Sequence, residues 1–307
     1  VRAVVVPRPG PPDVLEVHDD WPAPAPPGAD EVLVAVEAAG LNPSDVKLRG
    51  GTAAAEMFPY VAGREAAGRI LLAGTDVVGL AEGDPVFAFF GWNARPGGHA
   101  DQVVIPAAMV ARRPEPAPVT EAAALPLAGL TALQALRLLD VPAGGRIAIT
   151  GGAGGVGVFA VQLAALAGLE VTATAGPANQ GFVRGLGAAR TVDYHRDDDA
   201  DAFDGVTHLL DLVGPGTIDA YQDRLAPGAR VVAVVGLPER LRPDLWAQAV
   251  RALPSGDNLA ELARLVGSGQ LRIEVQETFA LEQIAAAHRL LEGGHVRGKL
   301  VIDLRDR

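Results

Sequence analysis

The sequence predicts an α/β protein of two domains, one β-rich and irregular, the other built on a doubly wound parallel sheet. Three observations carry that reading. Residues 1 to about 115 hold short alternating apolar stretches broken by prolines and glycines. Between 146 and 235, apolar runs of strand length alternate with stretches of helical length. A cluster of glycines joins the first of those strands to the first of those helices. Strands alternating with helices imply a parallel sheet with right-handed crossovers, and nearly continuous apolar strands imply that both faces are covered.

Taken in order, residues 31–37 alternate apolar and polar as a half-buried strand does, and so do 68–72 and 101–105. The proline-rich stretch 22–28 reads as a rigid connector, and Gly83-Asp84-Pro85 as a turn before an apolar strand over 86–90. Residues 121–139 have helical apolar spacing, interrupted by Pro126 and Gly129. Strand and helix then pair over 146–150 and 156–167, 170–174 and 179–186, and 206–212 and 217–225, with a further strand at 230–235. The C-terminal part predicts a helix over 258–266, a strand over 271–275, a helix over 281–291 and a strand over 299–304.

Composition excludes several classes. A net charge of −11 with no basic cluster disfavours nucleic acid and acidic membrane surfaces as partners. The chain has no cysteine, which removes disulfides, thiol nucleophiles and every cysteine-ligated zinc site. The first apolar run, Val4 to Val6, is too short for the core of a secretory signal, and the compartment expected is the cytoplasm. The span 147–169 carries no charge and has the length of a membrane helix. Its clustered glycines and Gln162 divide it instead into strand, turn and buried helix. The serines, Ser44, Ser255 and Ser268, stand in no G-x-S-x-G elbow, and the six histidines show no H-E-x-x-H spacing.

Residues 146–157 read R-I-A-I-T-G-G-A-G-G-V-G. Gly152, Gly154 and Gly157 have the G-x-G-x-x-G spacing, with Gly155 in the same loop and Val156 opening the helix, both assigned to the cofactor. Strand, glycine turn and helix N-terminus together bind the pyrophosphate of a dinucleotide. One glycine makes the turn, one admits the phosphates to the backbone, and one lets helix pack on strand. An NAD site usually places an acid about 20 residues further on, against the ribose hydroxyls. That position falls on Thr174-Ala175-Gly176-Pro177, with Asn179 the nearest polar side chain and Arg184 a turn beyond. The missing acid favours NADPH and leaves NADH possible. Of 26 lysines and arginines only Lys47 and Lys299 are lysines, which marks both as candidate site residues.

With these pieces in place, the chain resembles the zinc-independent quinone oxidoreductase group of the medium-chain dehydrogenase/reductase superfamily, from end to end. The markers are Asn42-Pro43-Ser44-Asp45, Gly63-x-Glu65-Ala66-Ala67-Gly68, Gly83-Asp84, the stretch Leu130 to Leu136 and the glycine loop. Further on come Leu186-Gly187-Ala188, Asp193-Tyr194, Asp211-Leu212-Val213-Gly214 and Arg297-Gly298-Lys299-Leu300-Val301. The resemblance implies a GroES-like substrate domain over 1–118 and 270–307 and a Rossmann domain over 119–269. Zinc-dependent relatives carry a histidine where this chain has Arg64 and a cysteine near Ser44, so no zinc mechanism is expected. Arg64 could pair with Asp45, pair with Glu65, or face solvent.

Carried over by residue, the resemblance sets Gly154 to Gly157 on the pyrophosphate and Thr131, Gly214, Val235 and Gly236 near the nicotinamide and its ribose. Tyr194 is expected by the adenosine ribose, and Lys47 and Lys299 near the cofactor. Asn42 and Asp45 shape the substrate cleft. The implied activity is NADPH-dependent reduction of quinones or α,β-unsaturated carbonyls by direct hydride transfer. Lys47 is the foremost candidate donor to the developing enolate, with Asn42 and Tyr60 behind it. Two alternatives stand beside it. One is an enoyl-thioester reductase drawing on Arg49, Arg64, Arg112 and Arg113; the other is an NADPH-binding protein without turnover. A homodimer is expected, paired through an edge strand at 245–253.

Overall fold

The computed structural model describes residues 1–52, 54–92, 97–196 and 201–305. The chain divides into two compact units, residues 1–127 with 254–307, and residues 128–253. The division expected at 118/119 and 269/270 therefore falls at 127/128 and 253/254. Packing explains the shift. A helix over Val119–Ala124 lies on the strands of the first unit, and so does one over Gly256–Gly267.

The first unit opens with β1 (Ala3–Val6), β2 (Glu16–His18), β3 (Glu31–Leu41), the short helix α1 (Pro43–Lys47) and β4 (Tyr60–Val61). It continues through β5 (Glu65–Ala73), β6 (Pro85–Phe89), β7 (Gln102–Pro106), β8 (Val110–Arg112) and α2 (Val119–Ala124). α3 (Pro126–Leu139) follows, with its proline at the first helical position, where the missing N–H costs nothing. The expected helix over 121–139 is thus two helices parted at Pro126.

The second unit then runs β9 (Arg146–Ile149), α4 (Gly155–Leu166), β10 (Glu170–Thr174), α5 (Gln180–Gly185), β11 (Arg190–Val192), β12 (His208–Asp211), α6 (Pro215–Tyr221), β13 (Arg230–Ala233) and β14 (Trp246–Ala249). The chain returns to the first unit with α7 (Gly256–Gly267), β15 (Val275–Ala280), α8 (Ile284–Glu292) and β16 (Lys299–Asp303).

Among the described residues the first unit holds a sheet ordered β15-β16-β3-β5-β6-β8, with β7 also on β3, and a smaller one ordered β2-β1-β4. Its core is Val32, Val34, Ile70, Val103, Ile105, Leu300 and Ile302 with their neighbours. The strand expected over 271–275 begins where that range ends, at Val275. β15 pairs only with β16, so Gln276, Glu277 and Thr278 stay exposed on an edge, and the apolar residues before it pointed to the wrong segment.

The second unit is a parallel sheet ordered β11-β10-β9-β12-β13-β14 among the described residues. From β9 the chain winds outward one way through β10 and β11, then the other way through β12 to β14. The order therefore reverses between β9 and β12. Such switch points, at the carboxyl ends of the strands, are where open α/β sheets bind ligands. α4 is buried from Gly157 to Ala164, which explains its uncharged, largely apolar composition without a membrane. No helix among the described residues is long and apolar enough to cross a membrane.

Candidate active site

In the second unit, the end of β9 turns through the glycines into α4. The left-handed residue of the turn is Gly151, at φ 68°, one position earlier than the motif spacing suggests. Its N–H donates to Thr174 Oγ1 at 2.9 Å and the N–H of Gly152 to Thr174 O at 2.9 Å, so the end of β10 fixes the turn. A Cβ at Gly157 would lie 2.1 Å from Gly151 O, so only glycine lets α4 start this close to the turn. At Gly154 a Cβ meets nothing nearer than 3.4 Å, so that side of the loop is open. Gly154 caps α4, leaving the amides of Gly155, Val156 and Gly157 at its first turn. An open glycine cradle on a helix N-terminus fits an anionic pyrophosphate.

The corner after β10 carries no acid. Asn179 closes a turn on Gly176, and Tyr194, half exposed, places its Oη 3.3 Å from where a Gly176 Cβ would stand. Arg184 is engaged by Thr191 Oγ1 at 2.6 Å. On the other side of the switch point, Gly214 (φ 145°) and Gly236 (φ 147°) follow β12 and β13 in conformations that side chains avoid. Val235 packs over Gly214, and both Val213 and Val235 are exposed. Thr131 is buried in α3.

In the first unit the sequence candidates meet in a buried polar cluster. Asn42 precedes α1, and its N–H donates to Asp45 Oδ2 at 2.9 Å. Its side chain is wholly engaged. Nδ2 donates to Glu65 Oε1 at 2.6 Å, and Oδ1 accepts from Lys299 Nζ. The Lys299 ammonium also donates to Leu41 O at 3.1 Å and Glu65 Oε1 at 2.9 Å, which commits all three of its protons. Glu65 Oε2 accepts from the N–H of Leu127 at 2.6 Å. Lys299, expected beside the cofactor, and Asn42, expected toward the substrate, are thus interior residues bound to Glu65.

Asp45 is buried, and desolvation lifts its carboxyl to about 6 against the lowering charge of Arg64 and the Asn42 N–H. Arg64 does not face solvent. It is buried, donates to Gly91 O at 2.6 Å, and lies 5.7 Å from the Trp92 ring. Its charge acts to lower the Asp45 carboxyl. Burial, then the charge of Asp45, pushes the Tyr60 phenol up. Lys47, at the C-terminal end of α1, is exposed.

Four residues in these two places were not candidates from sequence. Glu65 and Asp211 were only motif markers, Thr174 only the place where an acid is missing, and Thr150 only the polar residue after the apolar run 147–149. A lone polar residue closing a buried strand was the available signal.

Residues 28–115 match the model of the alcohol dehydrogenase GroES-like domain, and residues 186–302 that of a zinc-binding dehydrogenase. A chloroplast envelope quinone oxidoreductase homolog of Arabidopsis thaliana is 30% identical over 93% of both chains. An NADPH-dependent alkenal/one oxidoreductase of the same plant is 32% identical over 89% of this chain and 72% of its own. The structure of the quinone oxidoreductase from Coxiella burnetii superposes with a TM-score of 0.91 at 34% identity, covering 99% of each chain. The chain belongs to the quinone oxidoreductase group of the medium-chain dehydrogenase/reductase superfamily.

A zinc ion does not fit the residues present. The chain has no cysteine, and the buried guanidinium of Arg64 stands beside Asp45 and Glu65. Among the described residues no three histidine, aspartate or glutamate side chains group as metal ligands.

Proposed function

We propose that this protein is an NADPH-dependent reductase of quinones and α,β-unsaturated carbonyl compounds, working without a metal. The observation that carries the reading is the open glycine cradle at the switch point, beside a β10 corner without an acid. The names of the relatives support the acceptor class: a quinone in one case, an alkenal or enone in the other. Bound NADPH supplies the hydride. The chain supplies position: the amides of Gly155, Val156 and Gly157 hold the pyrophosphate against the open face of Gly154, and the corner at Ala175 to Asn179 with Tyr194 receives the 2′-phosphorylated ribose. Thr131, Gly214, Val235 and Gly236 form the nicotinamide side.

The unit 128–253 carries the cofactor. Lys47 donates a hydrogen bond to the oxygen that gains charge as hydride arrives, and Tyr60 stands behind it. Asn42, Asp45 and Lys299 hold α1 in place from within. The proton that completes the reduction comes from Lys47 or from water. The enoyl-thioester alternative loses two of its four arginines as surface charges, because Arg49 and Arg64 are buried. A cytoplasmic homodimer completes the proposal. β14 is the edge of the parallel sheet and exposes Trp246, and an unpaired edge invites a second copy.

The experiment is NADPH oxidation against a panel of quinones, enones and enoyl thioesters, with NADH and added chelator as controls. Turnover of quinones or enones that survives chelation is expected. Thioester-only turnover would move the reading to acyl chemistry, and no turnover at all would leave a binding protein. Light scattering at micromolar concentration tests the dimer, and a monomer mass would contradict it.

A further inference from the structure

β9 and β12 are adjacent parallel strands, paired at Ala148 with Leu209 and Ile149 with Leu210. The next residue on each is polar, and both are wholly buried: Thr150 and Asp211. Thr150 Oγ1 lies 2.7 Å from Asp211 Oδ1 and 3.0 Å from the N–H of Leu212. An amide can only donate, so the hydroxyl accepts from Leu212 and turns its own proton to Asp211. The other carboxyl oxygen accepts from the N–H of Gly214 at 2.9 Å. The amides of Leu212 and Gly214, at the two ends of the loop, are therefore tied to this pair.

The loop so held touches the glycine turn. A Cβ at Gly151 would stand 3.1 Å from Val213 Cγ2, and Val235 packs over Gly214. With the pyrophosphate at Gly154 to Gly157 and the adenosine ribose at the β10 corner, the rest of a dinucleotide must cross the switch point toward β12 and β13. A dinucleotide so placed would pass the 212–214 loop, whose Val213 stands beside Gly151. Hydrogen bonds to an ionised acid are strong, yet burial works against that ionised form, so the arrangement persists only while all the donors are in place.

We propose that Thr150 and Asp211 are a positioning pair that clamps the 212–214 loop to the glycine turn and sets the surface receiving the nicotinamide half of the cofactor. The inference rests on the cofactor reading above. It is specific in which half of the cofactor it affects. Neither side chain is exposed, so neither is offered as a contact.

The test uses Thr150→Val, which keeps the shape and removes the hydroxyl, and Thr150→Ser, which restores it. Two ligands are titrated: NADPH by its fluorescence, and 2′,5′-ADP, which lacks the nicotinamide half. Thr150→Val is expected to weaken NADPH by about tenfold while 2′,5′-ADP stays within about twofold, and Thr150→Ser to recover NADPH to within about threefold. With NADPH deuterated at one face of C4, Thr150→Val should also lose part of its stereospecificity. Should Thr150→Val not fold, Thr150→Ala, which leaves room for a water, is read in the same way. Equal weakening of both ligands, or of neither, would overturn the positioning role. Wild-type protein that binds neither ligand would overturn the cofactor reading itself, and the pair's role with it.

Discussion

Lys299 Nζ and Glu65 Oε1 form an ion pair of 2.9 Å in which neither side chain exposes more than 4% of its surface. The lysine reaches back from β16 to the start of β5, and Asn42 bridges both ends of the pair. Removing one partner of a buried pair strands the other charge, at a cost of about 3–5 kcal/mol. Lys299→Met and Glu65→Gln are each expected to lower stability on that scale in urea titrations, and the double change to cost less than the two added. A Lys299→Met protein of unchanged stability with a raised KM for NADPH would return Lys299 to the cofactor contacts.

Two glycines of one loop should fail differently. Gly157→Ala puts a methyl 2.1 Å from Gly151 O and should destabilise the fold. Gly154→Val finds open space in the protein and should keep the melting temperature while abolishing NADPH binding. Tight NADPH binding by Gly154→Val, read by fluorescence, would remove the pyrophosphate from this loop.

Cofactor choice should turn on the corner after β10. An aspartate at Gly176 would crowd the Tyr194 phenol, so Asn179→Asp is the cleaner change. It adds a negative charge to a half-buried site without adding bulk. The ratio of kcat/KM for NADPH over NADH should fall at least tenfold. A wild-type enzyme that already prefers NADH by that factor would contradict the placement of the 2′-phosphate.

Acid should weaken the fold well above the carboxylate range. His99 is buried with Nε2 on Gly40 O, and burial lowers it to about 4. His288 accepts from Arg49 at Nδ1, so its proton sits on a buried Nε2, and desolvation lowers it to about 3. Both stay neutral when folded, whereas the unfolded chain takes up two protons near pH 6.5. Stability from these groups is present above pH 6.5 and is lost as pH falls toward 4. Asp45, raised to about 6, acts oppositely, because the folded chain protonates it first. Two histidines against one carboxyl leave a loss of roughly 2 kcal/mol between pH 7 and 5, reduced by Asp211, which burial also raises, and increased by His208, which burial lowers. A urea midpoint that holds or rises over that interval would refute the assignment.

Lys47 is the site candidate with the most direct kinetic signature. Lys47→Met keeps the stem and removes the charge. If the ammonium stabilises developing negative charge, turnover should fall by roughly tenfold to a thousandfold. A raised KM for NADPH at constant turnover would make it a cofactor contact. Changes within about twofold in both would mark an ordinary surface lysine.

The glycine loop was legible in the sequence because its geometry is local: strand, turn and helix lie within a dozen consecutive residues. The parallel sheet was legible for a similar reason, since each strand announces itself by an apolar run. The Glu65 cluster was not, because it joins the ends of β3, β5 and β16 with the N–H of Leu127, and only sheet register brings those together. The rarity of lysine singled out Lys299, but rarity does not say whether a charge faces a ligand or the interior. Thr150 and Asp211 were each visible as polar ends of apolar strands. Their meeting required β9 to lie beside β12, which strand order alone decides.

The carbonyl of Gly151 fills the space a Gly157 side chain would need, whereas the corner at Asn179 is a half-buried turn whose side chain can change charge without changing size. On the proposed cofactor placement, sequence change can therefore retune which nucleotide is accepted without disturbing how its phosphates are gripped. For an engineer the two are separate handles, and only one of them turns.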